Sequence, residues 1–127
     1  MPKEFSYRGK SIEELKKMTI DEFAKILTAR ERRKIKRGFT DQEKKLLESI
    51  KKSPEKFHKT HVRSMVILPE MVGTRLGVFT GKEWFQLVIA PDMVGFRVGD
   101  FAIPVKRVKH SAPGIGASRG SKHIAVK

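Results

Sequence analysis

The fold is decided by the stretch Met65-Val-Ile-Leu-Pro-Glu-Met-Val-Gly-Thr-Arg-Leu-Gly-Val-Phe79, in which two short apolar runs flank a turn that begins at Pro and ends at Gly. A third run follows at Trp84-Phe-Gln-Leu-Val-Ile89. Short β-branched and aromatic runs bounded by Pro and Gly are typical of strands. The pattern predicts a three-stranded sheet between Met65 and about Ile89, with Thr80-Gly-Lys82 as the loop of an antiparallel hairpin.

The same stretch is repeated in part 22 residues later. Residues 69–79 align with Pro91-Asp-Met-Val-Gly-Phe-Arg-Val-Gly-Asp-Phe101, and seven of the eleven positions are identical. Each copy leaves an apolar run through Pro, which predicts one shared type of turn. The second copy has Asp100 where the first has Val78, so a short helix and a strand both remain open for its second half.

Upstream of the strands, the sequence predicts helices from Ser11 to about Lys52. Four helix-start signatures of the form Ser/Thr-x-x-Glu are present, beginning at Ser11, Thr19, Thr28 and Thr40. Apolar residues recur at spacings of three or four after the first, second and fourth signatures, as in amphipathic helices. The third opens Ala29–Arg37, where six of nine residues are cationic and only Ile35 offers an anchor to a core. The sequence leaves open whether Thr28 begins this helix or lies inside a longer one.

The charge balance narrows the classes of partner. The chain has 28 Lys and Arg against 14 Asp and Glu, a net charge of +14, and the segment from Pro104 to Lys127 holds six basic residues and no acidic one. Clustered positive charge favours polyanions, because each phosphate that it neutralises releases counterions. No apolar run approaches the roughly 20 residues of a membrane span, and the N-terminus lacks a signal peptide's apolar stretch. We therefore expect no membrane partner and a cytosol-like compartment.

The sequence offers little for catalysis or for a cofactor. There is no cysteine, which excludes disulfides and thiolate metal sites. His58 and His61 form a His-x-x-His pair, but only Glu55 is near them, so contact with phosphate or base is favoured over a metal site. The Gly-rich segment 114–120 has the wrong spacing for a dinucleotide loop. No nucleophile and base stand together, which predicts a protein that is not an enzyme, with no cofactor and no metal.

Three cationic segments are the candidate contacts to nucleic acid: residues 30–37, 58–63 and 106–122. In the first segment, Arg30, Arg33, Lys34 and Arg37 share one helical face with no acidic partner among them, so a polyanion would relieve their repulsion. A merely solvated face is the alternative. The predicted RNA-binding residues are Arg30, Arg32, Arg33, Lys34, Lys36, Arg37, His58, Lys59, His61, Arg63, Arg75, Lys106, Arg107, Lys109, His110, Arg119 and Lys122.

RNA-binding sheets also use aromatic side chains, which stack on bases. Five of them fall in the apolar second half of the chain, at Phe79, Trp84, Phe85, Phe96 and Phe101. They would stack on bases if exposed, but burial is the commoner fate of such residues. We assign them to the core.

At Lys59-Thr-His-Val-Arg-Ser-Met-Val-Ile-Leu-Pro-Glu-Met-Val-Gly73 the sequence resembles small-subunit ribosomal protein nineteen, in the branch shared by archaea and eukaryotes. The resemblance continues through Arg32-Arg33, Arg37-Gly38, Gly77–Lys82, Pro91–Gly95, Gly99–Phe101 and Val108–Ala117. It therefore covers nearly the whole chain, and the order and spacing of these segments make it specific.

The resemblance implies a protein of the small-subunit head that binds the 3′ major domain of the small-subunit rRNA. It also implies a position beside ribosomal protein thirteen and near the inter-subunit bridge, and a C-terminal extension, about Val108 to Lys127, that reaches toward the decoding region and transfer RNA. Transfer RNA and the large subunit are thus partners by proximity, and the location is cytoplasmic. Phe96 stands where the family often has His, so that histidine's contact does not carry over. Arg97 as a replacement donor and packing of the Phe96 ring both remain open.

Together these observations predict an α+β fold, with N-terminal helices packed on a small three-stranded sheet and an extended basic C-terminal tail. We expect an N-terminal arm over residues 1–10, a single RNA-binding domain over 11–105 and a flexible basic tail over 106–127. The predicted function is structural RNA binding in which shape and phosphate contacts outweigh sequence readout. A duplex-DNA-binding protein would share the charge, but it leaves the ordered Met-Val-Gly motifs unexplained.

Overall fold

The computed structural model describes residues 3–109, and its architecture is α+β as predicted. The elements in chain order are β1 (Ser6–Tyr7), β2 (Lys10–Ser11), α1 (Ile12–Lys17), α2 (Ile20–Ile26), α3 (Ala29–Lys36), α4 (Asp41–Lys52), β3 (Phe57–Thr60), β4 (Arg75–Phe79) and β5 (Trp84–Val88). Three short 3-10 helices add to these, at Pro69–Met71, Pro91–Met93 and Val98–Asp100. None of the helices in the described part of the chain combines the length and the apolarity that crossing a membrane requires.

Helix starts follow the predicted caps. Reciprocal capping boxes close at Ser11 with Glu14, Thr19 with Glu22, and Thr40 with Glu43. Thr28 also caps a helix, which settles the question left open by the sequence: α2 and α3 are separate helices. Its hydroxyl, however, accepts no backbone hydrogen bond and instead donates to the carboxylate of Glu31.

The three-stranded sheet has the order β3-β4-β5. The hairpin prediction is confirmed, because β4 and β5 are antiparallel with Phe79 opposite Trp84. The predicted first strand is wrong: the sheet uses β3, which pairs parallel to β4 and lies in the polar segment before Met65. The strand period is nevertheless present there, since His58 and Thr60 are buried while Phe57 and Lys59 are exposed.

The apolar run at residues 65–68 is buried along its whole length but does not join the sheet. It pairs with the second copy of the repeat, through a hydrogen bond from Ile67 N to Phe96 O at 2.8 Å and one from Val98 N to Met65 O at 3.0 Å. A continuous apolar run is consistent with burial on all sides, which is what the structure shows for residues 65–68. It carries no information about which backbone will be the partner.

The two copies of the repeat share one turn. Each begins with a 3-10 helix at its Pro, and each then reaches a Gly with positive φ, 89° at Gly73 and 87° at Gly95. After this point they differ, as the Val78-to-Asp100 exchange allowed. The first copy enters β4, whereas in the second Arg97 N donates to the Asp100 carboxylate and a 3-10 helix forms.

The core lies between the helices and one face of the sheet. Leu15, Phe23 and Leu46 from the helices are buried in one cluster with Leu76 and Leu87 from the strands. The hairpin formed by β1 and β2 falls largely within the predicted N-terminal arm, and Tyr7 packs its ring 6.4 Å from that of Phe23. The other face of the sheet is not covered by any described element, and most of its side chains are exposed.

Candidate nucleic-acid interface

The outer side of α3 carries a stripe of exposed cations, which we call the α3 stripe: Arg30, Arg33, Lys36 and Arg37. Ile35 is buried and fixes the rotation of the helix, so that these four side chains point away from the core. Within residues 3–109 none of the four side chains makes an ion pair or a hydrogen bond. The α3 stripe is therefore a positive surface with no internal counter-charge.

Helical spacing predicts that Lys34 lies on this stripe, but the structure turns it inward. Its Nζ lies 3.0 Å from Oε1 and 3.2 Å from Oε2 of Glu43, whose side chain is fully buried. Glu43 Oε2 also accepts a hydrogen bond from Thr40 N, at 2.7 Å, at the start of α4. Lys34 thus compensates a buried carboxylate and joins α3 to α4.

Arg32 also works inside the fold. Its guanidinium donates to three carbonyls at the end of α2, with distances of 3.2 Å to Ala24 O, 3.1 Å to Lys25 O and 3.0 Å to Leu27 O. Carbonyls in the last turn of a helix have no partner in that helix. Arg32 supplies donors to these carbonyls, of which Ala24 O also accepts from Leu27 N at 3.3 Å, and it fixes the corner between α2 and α3.

Glu31, on the same helix, holds the second copy of the repeat in place. Its Oε1 accepts from Arg97 Nε at 3.1 Å, across 66 positions of sequence. Hydrogen bonds from Thr28 and then from Arg97 lower the pKa of Glu31, against the opposing effect of partial burial. Of the two alternatives left open for this position, Arg97 is paired inside the protein, and the Phe96 ring packs edge-on against that of Phe101 at 5.8 Å.

Two of the predicted contacts between residues 58 and 63 also face inward. His58 is only 8% exposed, and its Nε2 lies 2.8 Å from Ser53 O. Arg63 donates to the carbonyls of Phe79 and Gly99, each at 3.1 Å, and to that of Ala102. Arg63 thus ties the end of β4 to the last turn of the described domain.

Lys59, His61 and Arg75 remain on the outside. Lys59 and Arg75 lie on the uncovered face of the sheet, and the Arg75 guanidinium reaches Glu55 O at 2.8 Å. His61 continues the line of β3 and is exposed. Among the described residues there is no group of three side chains suited to hold a metal, so nothing in this part of the chain completes a metal site around the two histidines.

The C-terminal candidates divide at residue 109. Lys106, Arg107 and Lys109 are exposed, and Lys106 Nζ lies 3.7 Å from a carboxylate oxygen of Glu83. His110, Arg119 and Lys122, with the greater part of the predicted flexible tail, lie outside the described residues.

The assignment of the aromatic residues to the core is wrong for three of the five. Trp84, Phe85 and Phe96 are 38%, 43% and 52% exposed, while Phe79 and Phe101 are half-buried. For Trp84 a signal was present in the sequence. Leu87 and Ile89 set the inward phase of this strand, which puts Trp84 on the same outward face as the polar Gln86.

The chain is similar in sequence to a family of known proteins and to several individual relatives. Residues 33–110 match the family described as Ribosomal protein S19. Proteins named small ribosomal subunit protein uS19 from Metallosphaera sedula and Saccharolobus solfataricus are each 47% identical to this chain over 98% of its length and 93% of theirs. The protein of that name from Methanocella arvoryzae is also 47% identical, over 98% of this chain and 88% of its own.

Proposed function

This chain belongs to the ribosomal protein S19 family, and from that premise we propose that it binds the 3′ major domain of the small-subunit rRNA, near the inter-subunit bridge. Its role is that of a structural component of the small ribosomal subunit, in the cytoplasm. Family membership bears out two predictions made from the sequence, the resemblance itself and the absence of an enzymatic activity.

The α3 stripe carries this proposal. Four exposed cations, three on one side of α3 and the fourth at its C-cap Arg37, repel one another. Three other cations of the same part of the fold, Arg32, Lys34 and Arg97, have internal acceptors within 3.2 Å and are held by them. The unpaired ones are the side chains available to phosphate, because counterion release rewards each phosphate they neutralise.

The interface that we propose combines the α3 stripe with Lys59, His61 and Arg75 on the sheet and with Lys106, Arg107 and Lys109. Arg32, Lys34, His58 and Arg63 support these residues from inside rather than touching RNA. The acid-free segment that follows, with His110, Arg119 and Lys122, extends the same charge. The proposed partners of the whole protein are rRNA and, by proximity, transfer RNA and the large subunit. Ribosomal protein thirteen is the proposed neighbour.

The proposed domain division follows from the same assignment. Residues 11–105 would form the RNA-binding domain, with an arm at 1–10 and a basic tail at 106–127. Tyr7 packs on Phe23, which indicates that the end of the arm is docked on the domain.

A salt titration tests the RNA-binding mechanism. The full chain is titrated with a transcript of the 3′ major domain, and the logarithm of the affinity should fall linearly with the logarithm of the salt concentration. The Arg33→Gln/Arg37→Gln variant should lose affinity and flatten the slope by roughly one unit per lost phosphate contact. Lys16→Gln/Lys17→Gln removes the same charge from exposed positions on α1 and serves as the matched control.

Two results would contradict the proposal. A salt-independent affinity would remove the electrostatic mechanism. Equal affinity for unrelated duplex DNA of the same length would favour a general polyanion-binding protein over a ribosomal one.

A further inference from the structure

Three aromatic rings meet at one end of the uncovered sheet face. Phe79 lies opposite Trp84 in the β4–β5 register, and His61 continues β3 to the same level. The ring centroids are 4.7 Å apart for His61 and Phe79, 4.9 Å for His61 and Trp84, and 5.1 Å for Phe79 and Trp84. We call these three residues the aromatic cluster. His61 and Trp84 are exposed, so the cluster faces solvent.

The middle of the same face is kept flat by Gly77. A Cβ atom added at Gly77 would lie 2.6 Å from Cζ of Phe57 and 3.4 Å from Cγ of Lys59, because the Phe57 ring rests directly on the glycine. Phe57 is itself 36% exposed. The sheet therefore presents a low apolar surface that leads from Phe57 to the aromatic cluster.

The charge of this face has one sign. The strands place Phe57 and Lys59, Arg75 and Phe79, and Trp84, Gln86 and Val88 on it, and none of these carries a carboxylate. Lys59 Nζ lies 5.4 Å from the centre of the Trp84 ring, in a cation–π contact on an exposed side chain. Exposed aromatic rings among cations fit a ligand that offers both flat rings and negative charge.

A groove of about 500 Å³ borders this face, along the free edge of β3 and beside α4. Its wall includes Lys45, Lys56 and Lys59, and no Asp or Glu lines it. Phe57 and His61 belong to both the groove and the sheet face. A phosphate backbone lying in the groove would hold its bases within reach of the aromatic cluster.

We propose that the uncovered sheet face binds an unpaired segment of RNA, with one base stacked on Trp84 and the neighbouring phosphates in the lysine-lined groove. This inference rests on the proposed function, and it adds a second kind of contact to the phosphate binding of the α3 stripe. Base stacking on exposed aromatic rings next to a cationic groove is how single strands are held without sequence readout. Duplex RNA hides its base faces and would not use this site.

Lys59 gives the site a defined rearrangement. In the free protein its ammonium covers the Trp84 ring, a contact that is weak on an exposed side chain. An arriving base takes that place, and the flexible lysine moves its ammonium to a phosphate. The charge therefore stays at the site while the ring face becomes available.

Trp84 is the only tryptophan, so its fluorescence reports on this site directly. The full chain is titrated with the 3′ major-domain transcript and, separately, with inorganic polyphosphate at equal phosphate concentration. The transcript should quench the fluorescence of Trp84 because a base stacks on the ring. Polyphosphate has no bases, so most of the fluorescence should remain when it binds.

Affinity measurements on variants complete the test. Trp84→Leu should weaken transcript binding by roughly 5- to 150-fold, the range that loss of one stacked base produces, and Trp84→Phe should restore most of it. Phe85→Leu is the matched control, since Phe85 is the next residue, is similarly exposed and lies on the opposite face. Urea unfolding of each variant separates loss of the fold from loss of the contact.

Each other outcome decides against the inference. If Trp84→Leu binds the transcript as tightly as the parent while Arg33→Gln/Arg37→Gln does not, the sheet face is not an RNA site and the proposed function stands. Equal quenching by polyphosphate would also remove the stacking contact. If Trp84→Leu leaves RNA binding intact but loses a small-subunit protein in reconstitution, the face is a protein contact. If the parent chain does not bind the transcript, both proposals fail.

Discussion

The two sides of α3 carry the same residue types and do different things. On the inner side, Arg32 caps α2 and Lys34 neutralises the buried Glu43. On the outer side, Arg30, Arg33 and Arg37 have no acceptor within residues 3–109. The difference lies in what stands opposite each side chain in the folded chain. A count of cations in a basic segment therefore overstates the number that a partner can use.

The sheet half of the chain shows the same contrast. Arg63 reaches three backbone carbonyls from inside, while Lys59, four residues earlier, lies over Trp84 on the exposed face. In both halves the inward cations should govern stability and the outward ones RNA binding. The contrast would be wrong if substitutions of inward cations changed mainly RNA affinity and substitutions of outward cations changed mainly stability.

The largest effect is expected at Lys34. Replacing it in the Lys34→Met variant leaves the Glu43 carboxylate buried without its counter-charge, and breaking a buried pair in this way typically costs about 3–5 kcal/mol of unfolding free energy. Urea unfolding measures the loss. Lys36→Met, at an exposed position of the same helix, should stay within about 0.5 kcal/mol of the parent.

A double variant sharpens this result. Lys34→Met/Glu43→Gln removes the buried charge but keeps a side chain able to accept from Thr40 N, because Gln serves in a capping box as Glu does. It should recover much of the stability that Lys34→Met loses. If it does not, the ion pair is not the reason that Lys34 matters.

The next effect belongs to Arg63. The Arg63→Met variant keeps the apolar stem but leaves the carbonyls of Phe79, Gly99 and Ala102 without their donor, and buried acceptors in that state cost about 1–3 kcal/mol. We expect a loss of unfolding free energy in that range. Arg75→Met, whose guanidinium reaches one exposed carbonyl, should lose much less stability while losing RNA affinity. The reverse pattern would contradict the assignment.

A smaller effect appears as a pH dependence. Hydrogen bonds from Thr28 and Arg97 lower the pKa of Glu31 in the folded chain, so the charged form stabilises the fold. This contribution is fully present above the unfolded pKa and is lost as the pH falls through the folded one. Urea unfolding followed from roughly pH 5 to 2 should show a shallower loss of stability in Glu31→Gln than in the parent. Glu48→Gln, on the exposed side of α4, controls for the change in net charge.

Local chemistry explains how much of this fold the sequence predicts. Three capping boxes form as their signatures indicate, because each needs only residues three positions apart. The Thr28 signature begins its helix, but its Glu31 also forms an ion pair with Arg97, 66 positions away. The run at 65–68 is extended and apolar as the pattern indicates, but it pairs with the second copy of the repeat and not with the sheet. Spacing predicts local hydrogen bonds and burial, whereas partners at long range are set by the assembled fold.

The candidate site divides in the same way. Periodicity puts Arg33 and Arg37 on one face, and they are exposed as the pattern indicates. It puts Lys34 with them as well, and no property of the lysine itself reveals the buried Glu43 nine residues on. Trp84 was missed because aromatic residues in an apolar segment are usually buried. The strand alternation places Trp84 on the face opposite Leu87. That placement means exposure only because no described element covers this face of the sheet.

The smallest stability change is expected at Arg30, and it separates the two sides of α3 most clearly. Arg30 lies in the first turn of α3, where a cation opposes the helix dipole, and it is three residues from Arg33. Arg30→Gln should therefore raise the unfolding free energy by about 0.3 kcal/mol, as relief of such a pair allows. The same variant should weaken binding to the 3′ major-domain transcript and reduce its salt dependence. A residue that slightly destabilises its own fold is explained by a partner outside the chain, and a variant that loses stability while keeping RNA affinity would remove that explanation.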